Sequence, residues 1–178
     1  LTPAANDAVA VKCDADVTMN APSTTRGCFV KRGTGTLTLV SGGTTALSSE
    51  AGKDSKNNMP PADPLAFGND GAVPNANYSA LTVAEGDLVL KGASPASAYT
   101  MGGSGAVYIG MPVPLTQKAA RLIVDGVKAS FLGNHFHVGS GVRSSNNGTP
   151  ETTLVVTNGA VAEVTSIRLG WNSNMEGA

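Results

Sequence analysis

Three stretches of the sequence share one pattern and decide the predicted fold: LTVAEGDLVLKG at 81–92, LIVDGVKAS at 122–130 and LVVTNGAVAEV at 154–164. In each, a short apolar strand is followed by an acidic or amide turn that ends in glycine, and then by a second strand. Self-similarity at intervals of roughly 20–50 residues is typical of repeat architectures. The pattern therefore predicts stacked strands of one chain, and it says more about fold than about function.

A further short strand follows each stretch, at 106–110, 135–139 and 166–170. Each has two apolar residues separated by one other residue and followed by glycine. Period-two alternation places the apolar residues inside and the intervening Tyr108, His137 and Arg168 outside. Three inward-facing strands per repeat predict an all-β fold, a right-handed parallel β-helix (solenoid) with three short strands per coil and one long inserted loop.

The same alternation predicts the core of the other two strands. The expected inward residues are Leu81, Val83, Leu122, Val124, Leu154 and Val156 on the first strand, and Leu88, Leu90, Val127, Ala129 and Val161 on the second. On the third strand, Phe136 and Ile167 are expected to stack in the core. Sharp corners favour glycine and small polar residues. One equivalent corner is therefore expected at Glu85-Gly86, Asp125-Gly126 and Asn158-Gly159.

The composition favours an extracellular protein and excludes several function classes. The chain has 178 residues, of which 4% are aromatic and 14% charged, with a net charge of -1. This balance provides no electrostatic footprint for nucleic acid or for a membrane surface. No stretch reaches the roughly 18 consecutive apolar residues of a membrane helix, so membrane insertion is not expected. Because the chain begins with Leu1, we expect a mature or excised fragment, with residues 1–178 forming a single domain. The last repeat breaks off at 169–172, which predicts a fragment of a longer solenoid or an end that a partner covers.

A more specific motif lies in two parts, at 31–42 and 81–90. The first part contains Lys31, Gly33, Gly35, Thr36, Leu37 and Leu39, and the second contains Gly86, Leu88 and Leu90. This combination resembles the passenger-associated repeat of bacterial autotransporter adhesins. The resemblance implies a right-handed parallel β-helix on a secreted or surface-displayed bacterial protein.

The segment 48–80 departs from that repeat and is rich in Ser, Asn, Pro and Gly. A loop of this length between two stacking strands must project sideways from the solenoid. We predict that it is an inserted loop that docks back onto the solenoid wall through Leu65 and Phe67.

Cys13 and Cys28 each lie beside an apolar stretch near the amino-terminal end. A disulfide between them would close a loop of roughly 15 residues and contribute about 3 kcal/mol. The alternative is a pair of buried thiols that never bond to each other. Two cysteines at this spacing do not predict a zinc site.

The outward row of Tyr108, His137 and Arg168 is the main candidate binding site. In a solenoid these side chains would lie about 4.7–4.9 Å apart, with Trp171 and Asn172 at the edge of the row. Such a polar and aromatic strip suits a polysaccharide or a glycan of a host or cell surface. The alternative is an ordinary solvated face.

No catalytic residue, metal or cofactor is predicted. His135 and His137 form an H-x-H pattern on one strand, but a third ligand at a convincing spacing is missing. Glycoside hydrolysis needs two carboxyl groups held roughly 5–10 Å apart, and Glu85, Asp87 and Asp125 are better explained as corner residues.

These observations predict a non-catalytic structural or adhesive module of a secreted or cell-surface (extracellular) bacterial protein. Its expected partners are glycans and further coils or domains of the same parent protein, and not nucleic acid. One alternative is part of a carbohydrate-active β-helix enzyme, a polysaccharide lyase or glycoside hydrolase, or its accessory domain. Another is a self-assembling extracellular fibre subunit.

Overall fold

The computed structural model describes residues 8–25, 27–48, 79–101, 106–110, 119–139 and 151–169. Within these ranges there are thirteen strands and no helix. The strands are β1 (Ala8–Lys12), β2 (Val17–Asn20), β3 (Cys28–Arg32), β4 (Thr36–Ser41), β5 (Thr44–Leu47), β6 (Ser79–Val83), β7 (Gly86–Gly92), β8 (Ala98–Met101), β9 (Ala106–Ile109), β10 (Ala120–Asp125), β11 (Lys128–Val138), β12 (Thr152–Thr157) and β13 (Val161–Leu169). A search of the same residues for a long apolar helix that could cross a membrane finds none.

The strands pair in parallel and form two sheets. The eight-stranded sheet has the order β1, β3, β6, β9, β11, β8, β5, and β13 also pairs with β11. The five-stranded sheet has the order β2, β4, β7, β10, β12. The predicted all-β class and parallel stacking are confirmed, and the arrangement is consistent with a parallel β-helix or a related β-solenoid.

Residues in register on neighbouring strands form rows that cross each sheet, and the inward rows form the core. One row of the five-stranded sheet contains Val17, Leu37, Leu88, Leu122 and Leu154. One row of the eight-stranded sheet contains Val9, Phe29, Leu81, Val107, Phe136 and Ile167. The members of these rows on interior strands are between 0% and 4% exposed, so the apolar rows face each other across the core.

Tyr99 on β8 connects the two sheets through a buried polar contact. Its hydroxyl donates to the Leu39 carbonyl oxygen at 2.6 Å and to the Lys91 carbonyl oxygen at 3.1 Å. Burial raises the pKa of Tyr99 to about 12. The hydroxyl therefore remains protonated and shares its one hydrogen between two backbone acceptors.

The predicted alignment of the third strands is confirmed in register. Phe136 pairs with Val107 on one side and with Ile167 on the other. However, Phe136 is fully buried, whereas Ile167 is 47% exposed. The prediction that both lie in the core is wrong for Ile167, because β13 is the last strand of the stack in the described part of the chain and its inner face is only partly covered.

The sequence pattern aligned the stretch at 81–92 with those at 122–130 and 154–164, and this alignment is wrong by one strand. Leu122 is in register with Leu88 and Leu154, whereas Leu81 belongs to the row of Phe29 and Val107. Every strand here has alternating apolar residues and a nearby glycine turn, so a shift by one whole strand preserves the pattern. The inward orientation of Leu81, Leu88 and Leu122 is still correct, since all three are fully buried.

Two further predictions about the core are corrected by the register. Val161 pairs with the exposed Lys128 and is itself 50% exposed, so it does not point inward. Its neighbour Ala162 pairs with the fully buried Ala129 and takes the inward position. Val156 does lie in an inward row, but it is 45% exposed because β12 is an edge strand.

The predicted common corner exists for two of its three members. Asn158 donates through Nδ2 to Asp125 Oδ1 at 2.5 Å, and Gly126 and Asn158 both have positive φ. Glu85-Gly86 lies at a different corner, as follows from the one-strand shift. There, the backbone N–H of Gly86 donates to the carbonyl oxygen of Ala119.

The two cysteines are buried and are not joined by a disulfide. Cys28 begins β3 and pairs with Ala8, whereas the Cys13 amide donates to the carbonyl oxygen of Arg32 at the other end of β3. About four residue steps of roughly 3.3 Å separate these positions, which exceeds the ~7 Å that a disulfide can span. The alternative of two buried thiols is therefore the correct one. The predicted docking residues Leu65 and Phe67 lie outside the described residues.

Candidate functional site

The predicted site row is assembled by the fold, but it is not an open strip. His137 pairs in register with Tyr108 and with Arg168. The rings of Tyr108 and His137 stack with centroids 4.8 Å apart and an interplanar angle of 18°. Only 3% of His137 is exposed, so the expectation of a solvent-facing imidazole is wrong.

Burial of His137 is shared by two earlier members of the outward row. Val30 and Thr82, the next members of this row toward the amino terminus, are 5% and 7% exposed. Tyr108 is half-buried, and its burial raises the pKa of its hydroxyl, with nearby Arg168 acting in the opposite direction. Of the predicted row, Arg168 alone is exposed, while Trp171 and Asn172 lie outside the described residues.

A lysine occupies the interior at the corner between the two sheets. Lys31 is fully buried, and its Nζ donates to the carbonyl oxygens of Gly33 and Gly35 at 2.5 Å and of Glu85 at 2.9 Å. Burial lowers the pKa of Lys31, and nearby Cys13 and acidic groups act in the opposite direction. The side chain thus donates to three carbonyl oxygens in the two turns that follow β3 and β6.

The Lys31 corner also explains the glycines of the two-part motif. Gly86 has a φ of +66°, and a Cβ there would lie 2.5 Å from the Gly33 oxygen and 2.6 Å from Lys31 Nζ. The two halves of the motif are therefore neighbours in space. Leu37 and Leu39 in the first half are in register with Leu88 and Leu90 in the second.

An acidic cleft of about 330 Å³ opens beside this corner. Its charged lining consists of Glu85, Asp87, Arg121 and Glu151. Arg121 donates to both carboxylate oxygens of Asp87, at 2.8 and 2.5 Å, and this contact raises the pKa of the guanidinium. Because Asp87 is committed to a bidentate ion pair, it is a poor general base in this arrangement.

The outward side of the five-stranded sheet, which we name the flat face, carries half-buried and exposed residues. Its central row contains the half-buried Val89, Ile123 and Val155 on three successive strands. Neighbouring strands lie about 4.7–4.9 Å apart, so these side chains form a continuous apolar stripe.

Charged pairs border the stripe on both sides. On one side Arg121 pairs with Asp87, and on the other Lys91 Nζ lies 3.3 Å from Asp125 Oδ2. Hydrogen bonds from Asn158 and Lys91 lower the pKa of Asp125, with the Asn158 contact contributing most. The opposite charges of each pair neutralise each other. The borders of the flat face are therefore polar but carry no strong electrostatic field of one sign.

Sequence reasoning missed the flat face because the strand shift hid it. When DLVLK at 87–91 is aligned with RLIVD at 121–125, Asp87 meets Arg121 and Lys91 meets Asp125. The alignment of Leu81 with Leu122 produces neither pair. Complementary charges at both ends of a strand pair were therefore the available signal for the correct alignment.

Among the residues that the structure describes, no group of three or more His, Cys, Asp or Glu side chains is placed to hold a metal ion. His135 lies on β11 and is separated from His137 by the buried Phe136.

Comparisons with protein-family models, curated proteins and solved structures find no match to this chain.

Proposed function

We propose that this chain is a non-catalytic structural or adhesive module of a secreted or surface-displayed bacterial protein. In this proposal it is a right-handed parallel β-helix with three strands per coil. The observation that carries the proposal is the set of inward rows, which cross both sheets from one end of the described stack to the other. Such rows are what a load-bearing rod requires, because each coil is held by its neighbours.

The order of strands supports three strands per coil. β3, β6 and β9 lie side by side in one wall, β4, β7 and β10 in a second, and β5, β8 and the first part of β11 in a third. The chain visits these walls in the same order each time. Right-handed crossovers between parallel strands are the general rule, which supports the handedness.

The Lys31 corner supports the relation to autotransporter-type repeats. The lysine and glycines quoted for that resemblance are the residues that build the corner, and the two halves of the motif stack on adjacent coils. This is a structural reason for the motif, and it connects the resemblance to the fold.

The adhesive part of the proposal places glycan binding on the flat face. An apolar stripe suits the C–H faces of sugar rings, and the polar borders provide partners for hydroxyl groups. Because the charges on both borders are paired, an uncharged polysaccharide fits this surface better than an acidic one. The shallow shape predicts weak binding per module, since association itself costs several kcal/mol.

The test is an array of immobilised polysaccharides and cell-surface glycans probed with the purified chain and two variants. We expect binding that falls at least tenfold in Ile123→Lys, which interrupts the stripe, and that persists in Arg168→Ala on the other sheet. Binding lost only in Arg168→Ala would return the site to the row of Tyr108 and His137. No binding to any glycan would contradict the adhesive part.

The acidic cleft keeps a carbohydrate-active enzyme as the second candidate. Glu85 and Glu151 line the cleft beside the Asp87–Arg121 pair. The same polysaccharides are therefore assayed for newly formed reducing ends and for unsaturated products. Turnover that is lost in Glu151→Gln and retained in Arg168→Ala would establish catalysis in the cleft and overturn the non-catalytic proposal.

A further inference from the structure

The carboxyl-terminal end of the described stack presents uncovered core rows. On β12, Val156 is 45% exposed, although Val124, its neighbour in the same inward row, is fully buried. On β13, Ile167 and Leu169 are 47% and 71% exposed. These apolar side chains occupy positions that are filled and covered on every interior coil.

The amino-terminal end presents the matching surface. Val17 and Met19 on β2 are 42% and 44% exposed. They are in register with Leu37 and Leu39, which are 0% and 1% exposed. β2 is the edge strand of the five-stranded sheet at this end, as β12 is at the other.

The two ends belong to the same rows, so one end fits the other. From the geometry we infer that copies of this chain stack head to tail, with the last coil of one copy pairing with the first coil of the next. Extending each row by one coil places Val17 of the next copy on Leu154, and Met19 on Val156. It likewise places Val9 on Ile167.

Charge does not oppose this contact. The inward positions that meet are all apolar. Among the outward positions, Thr153 meets Asp16 and Arg168 meets Ala10, so no like charges are placed directly opposite each other. A second copy of this chain therefore matches the apolar rows and meets no charge repulsion at these positions.

The contact involves about one coil of each copy. The surfaces that meet are formed by residues 151–169 and residues 8–25. These segments have 19 and 18 residues, slightly fewer than the roughly 20–30 residues per side of a specific interface, so we expect association that is weak and rises with concentration. A head-to-tail contact of this kind does not close on itself, so it produces linear filaments whose length depends on concentration.

This inference rests on the coil stacking of the proposed β-helix, and it is tested separately from glycan binding. Sedimentation velocity of the full chain over a concentration series should show an average mass that rises from 17.8 kDa to at least twice that value. Negative-stain electron microscopy should show filaments. A chain that stays monomeric up to its solubility limit would overturn the inference, and retained glycan binding in that sample would leave the proposed function standing.

Two variants test the head-to-tail geometry directly. Leu169→Lys blocks one end and Met19→Lys blocks the other, and both positions are exposed enough to tolerate lysine. Each variant alone should be monomeric. An equimolar mixture should form dimers and nothing larger, because one intact end of each kind remains.

The control is Leu132→Lys, a change at another exposed apolar residue, on β11 in the interior of the stack. It should assemble as the unmodified chain does. Dimers of either end variant alone would indicate contact between like ends and would overturn the head-to-tail arrangement. Thermal unfolding of all three variants shows whether they are folded.

Discussion

The two sheets are built from the same alternating pattern, yet the outer face of the eight-stranded sheet at β3, β6 and the end of β11 differs from that of the five-stranded sheet. In the eight-stranded sheet, the outward residues Val30 and Thr82 are 5% and 7% exposed, and His137 is 3% exposed. In the five-stranded sheet, the outward Ile123 is half-buried and Arg121 is exposed. Alternation therefore determines which residues face the core, but it does not determine whether the opposite face meets solvent.

The same difference applies to the charged residues. Lys31 is inside and fully buried, with its Nζ bonded to three backbone carbonyls. The side chain of Lys91 on the flat face is 52% exposed and lies beside Asp125. One lysine completes the backbone hydrogen bonding of a corner, and the other pairs with a charge at the surface. Three comparisons, each between substitutions at two sites, test how far this contrast extends.

The largest effect is expected in the core row that contains Phe136, in the part of the eight-stranded sheet whose outward residues are also buried. Phe136→Ala should lower the free energy of unfolding by about 3–5 kcal/mol, because the ring is fully buried and packs edge-on against Phe131 at 5.2 Å. Denaturant unfolding measures the change. Ile167→Ala in the same row is the control, and it should cost about 1 kcal/mol or less because the residue is half exposed. Equal losses at both sites would contradict the inward assignment of Phe136.

The next effect compares the two lysines. Lys31→Met should cost about 2–4 kcal/mol, since it leaves buried carbonyl oxygens of Gly33, Gly35 and Glu85 without a donor. Lys91→Met should change stability by no more than about 0.5 kcal/mol, as expected at a surface position. If Lys31→Met were as mild as Lys91→Met, the interior role of Lys31 would be wrong.

The smallest effect compares outward residues of the two sheets. His137→Ala should cost about 1–2 kcal/mol, because it removes a buried ring that stacks on Tyr108. Arg121→Ala should cost about 0.2–1 kcal/mol, and added salt should reduce that cost, since its ion pair with Asp87 lies at the surface. A double-mutant cycle with Asp87→Ala isolates the pair. A larger loss at Arg121 than at His137 would reverse the proposed contrast between the outer faces.

Much of the fold was predictable from local sequence patterns. Apolar alternation identified the inward orientation of Leu81, Leu88, Leu122 and Phe136, because side chains on a strand point to opposite faces in turn. It also predicted the register of 106–110 against 135–139 and 166–170. The predicted site row of Tyr108, His137 and Arg168 was correct as a row, and it was wrong as an open surface.

Tertiary structure decided which strands are neighbours and which faces are covered. The stretch at 81–92 was misaligned because the alternating pattern is the same after a shift of one strand. The two alignments differ in their charge pairs, since the observed one joins Asp87 to Arg121 and Lys91 to Asp125. Likewise, identical alternation leaves Phe136 buried and Ile167 exposed, because burial depends on having a neighbour on both sides. Alternation is a property of one strand, whereas pairing and coverage are properties of the assembled coils.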